Sequence, residues 1–181
     1  INGTITTIAG SGIVGFSGDG GLAKYSQLDS PKDIKIDTAG RIFIADSGNH
    51  RVRIIDLNGS IATIAGSGAA GTGNGNMSGD GGLATIARLD TPLGLTVDGQ
   101  GNLYVADSNN HRVRRVDING TITTIAGSST AGDGNGDFAG DGGLSGNARL
   151  NQPTSVTVDG KGRLYIADGG NNRIRLVAPD T

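Results

Sequence analysis

The segment GLTVDGQGNLYVADSNNHRVRRVDINGTITTIAG, residues 94–127, contains four short stretches with strand character. They are Gly94–Asp98, Leu103–Asp107, Arg112–Asp117 and Thr121–Ala126. The sequences Gly-Gln-Gly-Asn, Ser-Asn-Asn-His and Asn-Gly separate them, and such sequences are typical of tight turns, with Asn-Gly the strongest hairpin signal. The segment therefore predicts four consecutive antiparallel strands, which we call strands a to d.

This pattern occurs three times in the 181-residue chain, at an interval of 61 residues. The residues that recur at fixed places include Pro31, Pro92 and Pro153; Asp46, Asp107 and Asp168; Asn49, Asn110 and Asn171; and Arg51, Arg112 and Arg173. Three copies at one long period indicate a repeat architecture. One four-stranded unit cannot bury both of its faces, whereas units packed face to face around an axis can. The predicted fold is an all-β β-propeller of four-stranded antiparallel blades, three per chain.

A glycine-rich insert precedes each strand a, with the cores FSGDGGLA, MSGDGGLA and FAGDGGLS. The apolar residues that begin these cores, Phe16, Met77 and Phe138, are expected to be buried and to anchor the inserts. We predict a single half-propeller unit over residues 1–181. Its parts are the first blade (31–66), an insert (67–91), the second blade (92–127), a further insert (128–152), strands a to c of a seam blade (153–181) and strand d of that seam blade (1–10).

The composition excludes several classes of protein. All 17 acidic residues are Asp and the chain has 34 Gly, which favours turns over helices. A net charge of -2 provides no bulk attraction to nucleic acid or anionic membranes, and no apolar run is long enough to span a membrane. The absence of Cys excludes disulfides and thiolate chemistry. The chain begins with Ile, which suggests a processed or excised piece, and a secreted or periplasmic location fits it.

The stretches ADSGNHRVR (Ala45–Arg53) and ADSNNHRVR (Ala106–Arg114) resemble the repeats of the NHL-repeat β-propeller family. The third copy, ADGGNNRIR, has Asn172 where the others have His. The GFSGDGG-type inserts are similar to those of bacterial members. The resemblance implies a ring of six blades, the usual number in this family, and a fold that serves binding modules as well as lactonase or lyase enzymes.

A polar set recurs in every blade and has two interpretations. It consists of Asp46, Asn49, His50 and Arg51; Asp107, Asn110, His111 and Arg112; and Asp168, Asn171, Asn172 and Arg173. The two His could act as acid–base groups or metal ligands. Because a catalytic centre is normally single, the repetition favours a structural network in which Asp accepts hydrogen bonds from turn amides and from Arg.

The first strand a departs from its counterparts. PKDIKID carries Lys32, Asp33 and Lys35, whereas the later copies read PLGLTVD and PTSVTVD. Strand a is the innermost strand of a propeller and lines the axial channel, so these charges are the candidate ligand-binding residues. The alternative is that they form solvated channel walls or mutual ion pairs. No catalytic residue is predicted.

Metal and nucleic-acid binding have weaker support in the sequence. Asp133, Asn135 and Asp137 place oxygen ligands at alternate positions, as a calcium loop begins. However, Phe138 stands where that loop needs Gly, and Leu144 stands where it needs Glu. We therefore predict no cofactor, with calcium at this loop as the alternative. Strand c is rich in Arg, but neighbouring Asp offset the charge and few aromatic side chains could stack on bases, which disfavours nucleic acid.

The sequence as a whole predicts a binding or scaffold propeller for a protein, peptide or glycan. The alternatives are a channel-centred lactonase- or lyase-type enzyme, and an excised or evolutionary propeller fragment without a selected ligand. Three blades are too few to close a ring. We therefore predict a two-fold homodimer of six blades in which Thr4–Ala9 of each chain completes the last blade of the other.

Overall fold

The computed structural model describes residues 3–68, 78–128 and 138–178, and it contains three antiparallel sheets in chain order. The strands of the first sheet are β1 (Pro31–Ile36), β2 (Ile42–Asp46), β3 (Arg51–Ile55) and β4 (Ile61–Ala65). Those of the second are β5 (Pro92–Val97), β6 (Leu103–Asp107), β7 (Arg112–Val116) and β8 (Ile122–Ala126). Those of the third are β9 (Pro153–Val158), β10 (Leu164–Asp168) and β11 (Arg173–Val177). The all-β blade architecture predicted from the sequence is confirmed.

Each sheet is a meander of consecutive hairpins. In the second sheet β5 pairs with β6, β6 with β7 and β7 with β8, each pair antiparallel. The strand b to c turn is a 3-10 turn that ends on a left-handed residue, His50, His111 or Asn172. Asn and His tolerate this backbone region better than most side chains.

Successive blades pack through their innermost strands. Contacts join β1 to β5 and β5 to β9, so the blades form an arc. The core between the first two blades includes Val52 and Leu95, and the core between the next two includes Val113 and Val156. All four side chains are at most 2% exposed.

The third blade differs from the other two. Its sheet has three strands, in the order β11-β10-β9, among the residues that the structure describes. The segment Thr4–Ala9, predicted from the sequence as a strand d, is not a strand within this single chain. Its residue Ile5 is 100% exposed, whereas the equivalent Ile61 and Ile122 are 0% exposed.

The inserts cover the outer edge of each complete blade. In the first insert, the Gly20 N–H donates to Ile61 O at 2.8 Å, and the Ile61 N–H donates to Gly21 O at 2.9 Å. In the second, Gly81 and Gly82 make the same two bonds with Ile122, at 2.8 and 3.0 Å. Each insert thereby pairs with strand d and covers an edge that would otherwise be open.

Candidate functional site

The repeated Asp of each blade lies at the centre of a buried hydrogen-bond network. Asp46 is 0% exposed, and its Oδ1 accepts from the Asp29 N–H at 2.7 Å. Its Oδ2 accepts from Asn49 Nδ2 at 2.8 Å and from Arg53 Nη1 at 3.3 Å. Asp107 and Asp168 accept from the corresponding backbone and Asn groups. A network present in every blade ties each insert to strands b and c.

The Arg that reaches this Asp lies two residues beyond the Arg of the predicted set. Arg51 donates instead to the carbonyls of Asn49 and Ser67, at 3.1 and 2.9 Å. Arg53, which is 0% exposed, bridges Asp46 to Asp19 of the first insert at 2.6 Å. The same bridges recur at Arg114 and Arg175. A sequence signal existed, because this second Arg and the insert Asp also repeat at an interval of 61 residues.

In the middle blade the network perturbs an ionisation. Burial raises the pKa of Asp107 to about 6, although Arg114 and the hydrogen bonds from Asp90 and Asn110 oppose the shift. Burial likewise lowers the pKa of Arg112. Structural ion-pair networks shift pKa values just as active sites do. The shifted pKa of Asp107 therefore does not by itself identify a catalytic group.

The two histidines connect adjacent blades. The Nδ1 of His50 accepts from the Thr91 N–H at 3.1 Å and lies 3.4 Å from Asp90 Oδ1. The Nδ1 of His111 accepts from the Gln152 N–H at 3.1 Å. Each imidazole therefore links the strand b to c turn of one blade to the residue that precedes strand a of the next blade.

The charged residues of the first strand a contact one another and the neighbouring blade. The Asp33 Oδ1 accepts from Lys35 Nζ at 3.0 Å and from the Ile34 N–H at 2.8 Å. Its Oδ2 accepts from the Leu95 N–H of the second blade at 2.8 Å. Lys32 is exposed. The structure thus brings Asp33 and Lys35 together, and gives Asp33 an inter-blade contact that the sequence did not suggest.

The prediction that the first residue of each insert core is a buried anchor is wrong for Phe16, which is 39% exposed. Its ring lies instead under two guanidinium groups, with Arg51 at 3.6 Å and Arg53 at 4.7 Å from the ring centroid. Phe138 stacks in the same way under two Arg of the third blade. The repeated Arg on strand c hold these rings by cation–π stacking, so the rings need not be enclosed.

The predicted calcium loop and the second predicted anchor both fall outside the part of the chain that the structure describes. Asp133, Asn135, Asp137 and Met77 lie outside the described residues. Within the described ranges, no group of three or more His, Cys, Asp or Glu side chains could hold a metal ion. In the same ranges, no helix has the length and hydropathy to cross a membrane.

The inserts present apolar side chains to solvent at a repeated position. Leu22, Leu83 and Leu144 are 49%, 58% and 72% exposed. Three residues further on, Tyr25 and Ile86 are 69% and 67% exposed. Each Leu immediately precedes the short 3-10 turn of its insert, and Tyr25 and Ile86 are the last residues of their turns. These side chains form an apolar position on the outer rim of every blade. This rim, rather than the polar set, carries accessible side chains in all three copies.

Comparison with known proteins agrees with the geometry. The Teneurin NHL domain model matches residues 14–75, 70–134 and 109–178. Teneurin-1 of Gallus gallus is 31% identical over 231 aligned residues, which cover 89% of this chain and 8% of that protein. NHL repeat-containing protein 2 of Bos taurus is 30% identical over 202 residues, 98% of this chain and 27% of that protein. The chain therefore spans less than a third of the length of either relative.

A solved structure shows the same fold. A protein of unknown function from Bacteroides thetaiotaomicron superimposes with a TM-score of 0.67 at 24% identity, over 87% of this chain and 38% of that one. The resemblance to NHL repeats is thus confirmed, while the similarity to bacterial members stays a prediction. The chain is a member of the Teneurin NHL domain family of NHL-repeat β-propellers.

Proposed function

We propose that this chain is a binding module that recognises a partner protein or an extended peptide through the inserts on its rim. Membership of the NHL-repeat family supports a binding or scaffold role, although the fold alone does not specify it. The observation that carries the proposal is the repeated exposure of Leu22, Leu83 and Leu144 on the inserts. In the first two inserts this Leu has a second exposed apolar residue three positions on, Tyr25 or Ile86, and exposed apolar side chains grouped in this way mark sites of interaction between proteins.

The inserts are also held in place before any partner arrives. Asp19 pairs with the buried Arg53 at 2.6 Å and accepts from the Thr63 hydroxyl at 2.8 Å. The backbone of the insert pairs with strand d on the same side. A surface that is already ordered loses less conformational entropy on binding, so more of the contact energy appears as affinity.

The test uses peptides selected from a random display library on the unmodified protein. A triple variant, Leu22→Ser with Leu83→Ser and Leu144→Ser, removes the rim leucines. A matched control, Leu57→Ser with Ile118→Ser, removes two side chains that are 71% and 74% exposed on strand c to d turns. We expect selected peptides to bind the control as well as the parent protein, and to bind the triple variant at least about tenfold more weakly.

Two results would count against this function. Failure to enrich any peptide, or equal binding to the triple variant, would overturn the proposal that the rim leucines form a binding surface. Turnover of a lactone panel that disappears in Asp33→Asn would favour the enzymatic alternative. Against that alternative, both carboxylate oxygens of Asp33 already accept hydrogen bonds from Lys35 and from backbone amides.

The proposal includes assembly of two chains into a six-bladed ring. Ile34, on the open side of the first blade, is 60% exposed, whereas its equivalents Leu95 and Val156 are at most 2% exposed. Ile174, on the open side of the third blade, is 73% exposed, whereas its equivalents Val52 and Val113 are 0% exposed. Since Val52 packs with Leu95 inside the chain, Ile174 of one copy would pack with Ile34 of another.

A hydrogen bond at the same joint supports the ring. Ser30 has a φ of 47°, close to the 51° of Thr91 and the 45° of Gln152, whose N–H groups bond to His50 and His111. Asn172 occupies the place of those His with the same left-handed backbone. Its Oδ1 lies as many bonds from Cα as the Nδ1 of His, so it can accept from the Ser30 N–H of a second copy.

Native mass spectrometry tests the ring, with an expected mass of twice the 18.1 kDa of one chain. Ile174→Asp should give monomers, because it places a charge in the proposed joint. Ile118→Asp is the matched control, since Ile118 is 74% exposed on a turn. A parent protein that stays monomeric at micromolar concentration would overturn the ring and leave the rim proposal standing.

A further inference from the structure

The third blade contains a groove at the place where the other two blades hold strand d. We infer that this groove is a strand-acceptor site and that its occupant is Thr4–Ala9 of a second copy of this chain. The inference rests on the proposed ring and names the segment and the surface that would lock it.

The groove has a volume of about 800 Å³ and lies between the third insert and β11, with β8 of the second blade along a further side. Gly142, Gly143 and Leu144 line it on the insert side, and Arg175, Leu176 and Val177 line it on the opposite side. In the complete first blade, β4 occupies the equivalent space, paired with β3 on one side and with the insert on the other. The groove therefore has the two walls of a strand slot.

The insert wall carries the backbone groups that pair with a strand elsewhere. Gly20 N–H and Gly21 O bond to Ile61, and Gly81 N–H and Gly82 O bond to Ile122. Their counterparts in the third insert are Gly142 and Gly143, which face the groove. An incoming strand would find a donor and an acceptor already in register.

The residues at the bottom of the groove correspond to those that enclose Ile61 in the first blade. Ile61 packs in one buried cluster with Ala23, Ile44 and Ile55. The counterparts of these three residues in the third blade are Ser145, Ile166 and Val177. All three line the groove.

The ion pair beside the groove is less covered than its counterparts. The side chain of Asp141 is 67% exposed, compared with 39% for Asp19 and 36% for Asp80. In the first blade, the hydroxyl of Thr63 on strand d covers Asp19 with a 2.8 Å hydrogen bond. Thr7 is the equivalent of Thr63 in the proposed donor segment.

The donor segment has the sequence of a strand d. Residues 1–10 and residues 118–127 both read INGTITTIAG, and the second copy forms β8. Ile5 is 100% exposed in the single chain, although its equivalents Ile61 and Ile122 are 0% exposed. The segment therefore has the sequence of a strand d, while its core residue Ile5 is not enclosed by the single chain.

The donor cannot reach the groove of its own chain within this arc. It precedes the first blade, while the groove lies in the third, and the contacts run from β1 to β5 and from β5 to β9. In a ring of two arcs, the first blade of one copy stands beside the third blade of the other. Each copy then supplies one strand and receives one, which gives a closed two-fold assembly.

The register follows from the second blade. There Val116 pairs with Ile122, Arg115 with Thr123 and Val113 with Ala126. Transferred to the third blade, the pairs are Val177 with Ile5, Leu176 with Thr6 and Ile174 with Ala9.

The first experiment compares Ile5→Asp with Thr6→Asp. Both side chains are exposed in the single chain, so neither change should affect its folding. In the groove, Ile5 would be buried, while Thr6 corresponds to the exposed Ala62 and the half-buried Thr123. We expect Ile5→Asp to weaken dimerisation by at least about 100-fold, and Thr6→Asp to leave it within about threefold, by analytical ultracentrifugation.

The second experiment tests the register with cysteines in a chain that has none. Residues opposite each other on antiparallel strands lie within disulfide range. Thr6→Cys with Leu176→Cys should therefore form a covalent dimer under mild oxidation. Thr6→Cys with Lys161→Cys, on an exposed strand a to b turn, should not.

The outcomes separate the inference from the proposals on which it rests. Dimers that survive Ile5→Asp and give no specific crosslink would overturn strand donation and leave the ring intact. A monomeric parent protein would overturn both. Peptide binding by the rim is read in a separate assay. Because Leu144 also lines the groove, the variant Leu22→Ser with Leu83→Ser alone keeps that assay independent of strand donation.

Discussion

Gly94→Ala tests whether the blades are as closely packed as the structure indicates. A Cβ at Gly94 would lie 2.6 Å from the Cα of Ser155 and 2.8 Å from the carbonyl oxygen of Thr154. Both of these atoms belong to the backbone of β9, so no side-chain rotation can relieve the contact. The inner strands of the second and third blades would have to move apart.

The expected cost follows from this displacement. Inserting a methyl group into a closely packed site typically costs about 1–3 kcal/mol. Leu95 and Val156 next to the contact are at most 2% exposed and would lose packing as the strands separate. Replacing Gly by Ala also restricts the unfolded chain, which returns about 0.4–1 kcal/mol. We therefore expect a net loss of about 1–2 kcal/mol in the free energy of unfolding.

Urea unfolding followed by circular dichroism measures this loss. Gly99→Ala is the matched control, because no atom lies within 4 Å of a Cβ at Gly99. The control should be unchanged or more stable by up to about 1 kcal/mol. Equal midpoints for the two variants would show that the blades are not in contact at Gly94, and would contradict the packing argument.

Asp107→Ala should lower the free energy of unfolding by about 3 kcal/mol, because it leaves the buried Arg114 with only part of its counter-charge. It should not change peptide binding by the rim, and a loss of peptide binding at unchanged stability would show that the network belongs to a binding site. Burial raises the pKa of Asp107 to about 6, above an unfolded value of about 3.9. The stability that this group contributes is therefore fully present below about pH 4 and is lost as the pH rises through 6. The loss in the free energy of unfolding is at most about 3 kcal/mol. The difference between the parent protein and Asp107→Asn in urea titrations at pH 4 and pH 8 measures most of this loss, and equal differences would refute it. His111→Ala should cost about 1 kcal/mol more than His111→Asn, because only Asn retains an acceptor for the Gln152 N–H and tolerates the left-handed backbone; equal stabilities would show that the inter-blade hydrogen bond contributes nothing.

The strands and turns were predictable because their signals are local. Asn-Gly and the repeated Asp marked the hairpins, and the predicted strand Leu103–Asp107 has the bounds of β6. The predicted Gly94–Asp98 lies two residues later than the start of β5 at Pro92. Pro lacks an N–H and is a weak strand signal, but at the first position of an inner strand this group is not required.

The contacts between blades were not predictable from any one repeat. His50 was considered as part of the turn network, but its Nδ1 accepts from Thr91 in the next blade. Asp33 was considered as a channel ligand, but one of its oxygens accepts from Leu95. Both contacts join residues distant in sequence through a geometry that exists only after the blades are packed.

The insert contacts differ from the prediction for another reason. The apolar character of Phe16 predicts burial, because apolar residues in loops often anchor them, but an aromatic ring is also stabilised by stacking with guanidinium groups. Arg51 and Arg53 alternate along one face of β3, so both guanidinium groups reach the ring. The period of the strand places them there, and the sequence contained that information.

Because the sequence repeats three times, the surroundings of equivalent residues can be compared within one chain. Where Ile61 and Ile122 are enclosed and Ile5 is not, the residue is the same and only its neighbours differ. At the polar contacts between blades, by contrast, the residues themselves differ from copy to copy. Gly169 stands where Ser47 donates to the carbonyl of Pro92, and Asn172 stands where His50 accepts from Thr91.

A joint built on the third blade would therefore retain one acceptor and lose one donor relative to the joints inside the chain. The ring should accordingly be weaker at its two seams than at its four internal joints, unless the donated strand supplies the difference. Strand donation adds backbone pairing on two sides and the burial of Ile5, which no internal joint needs. This is why we expect the assembly to depend on Ile5 more than on Asn172, and a dimer more sensitive to Asn172→Ala than to Ile5→Asp would reverse that order.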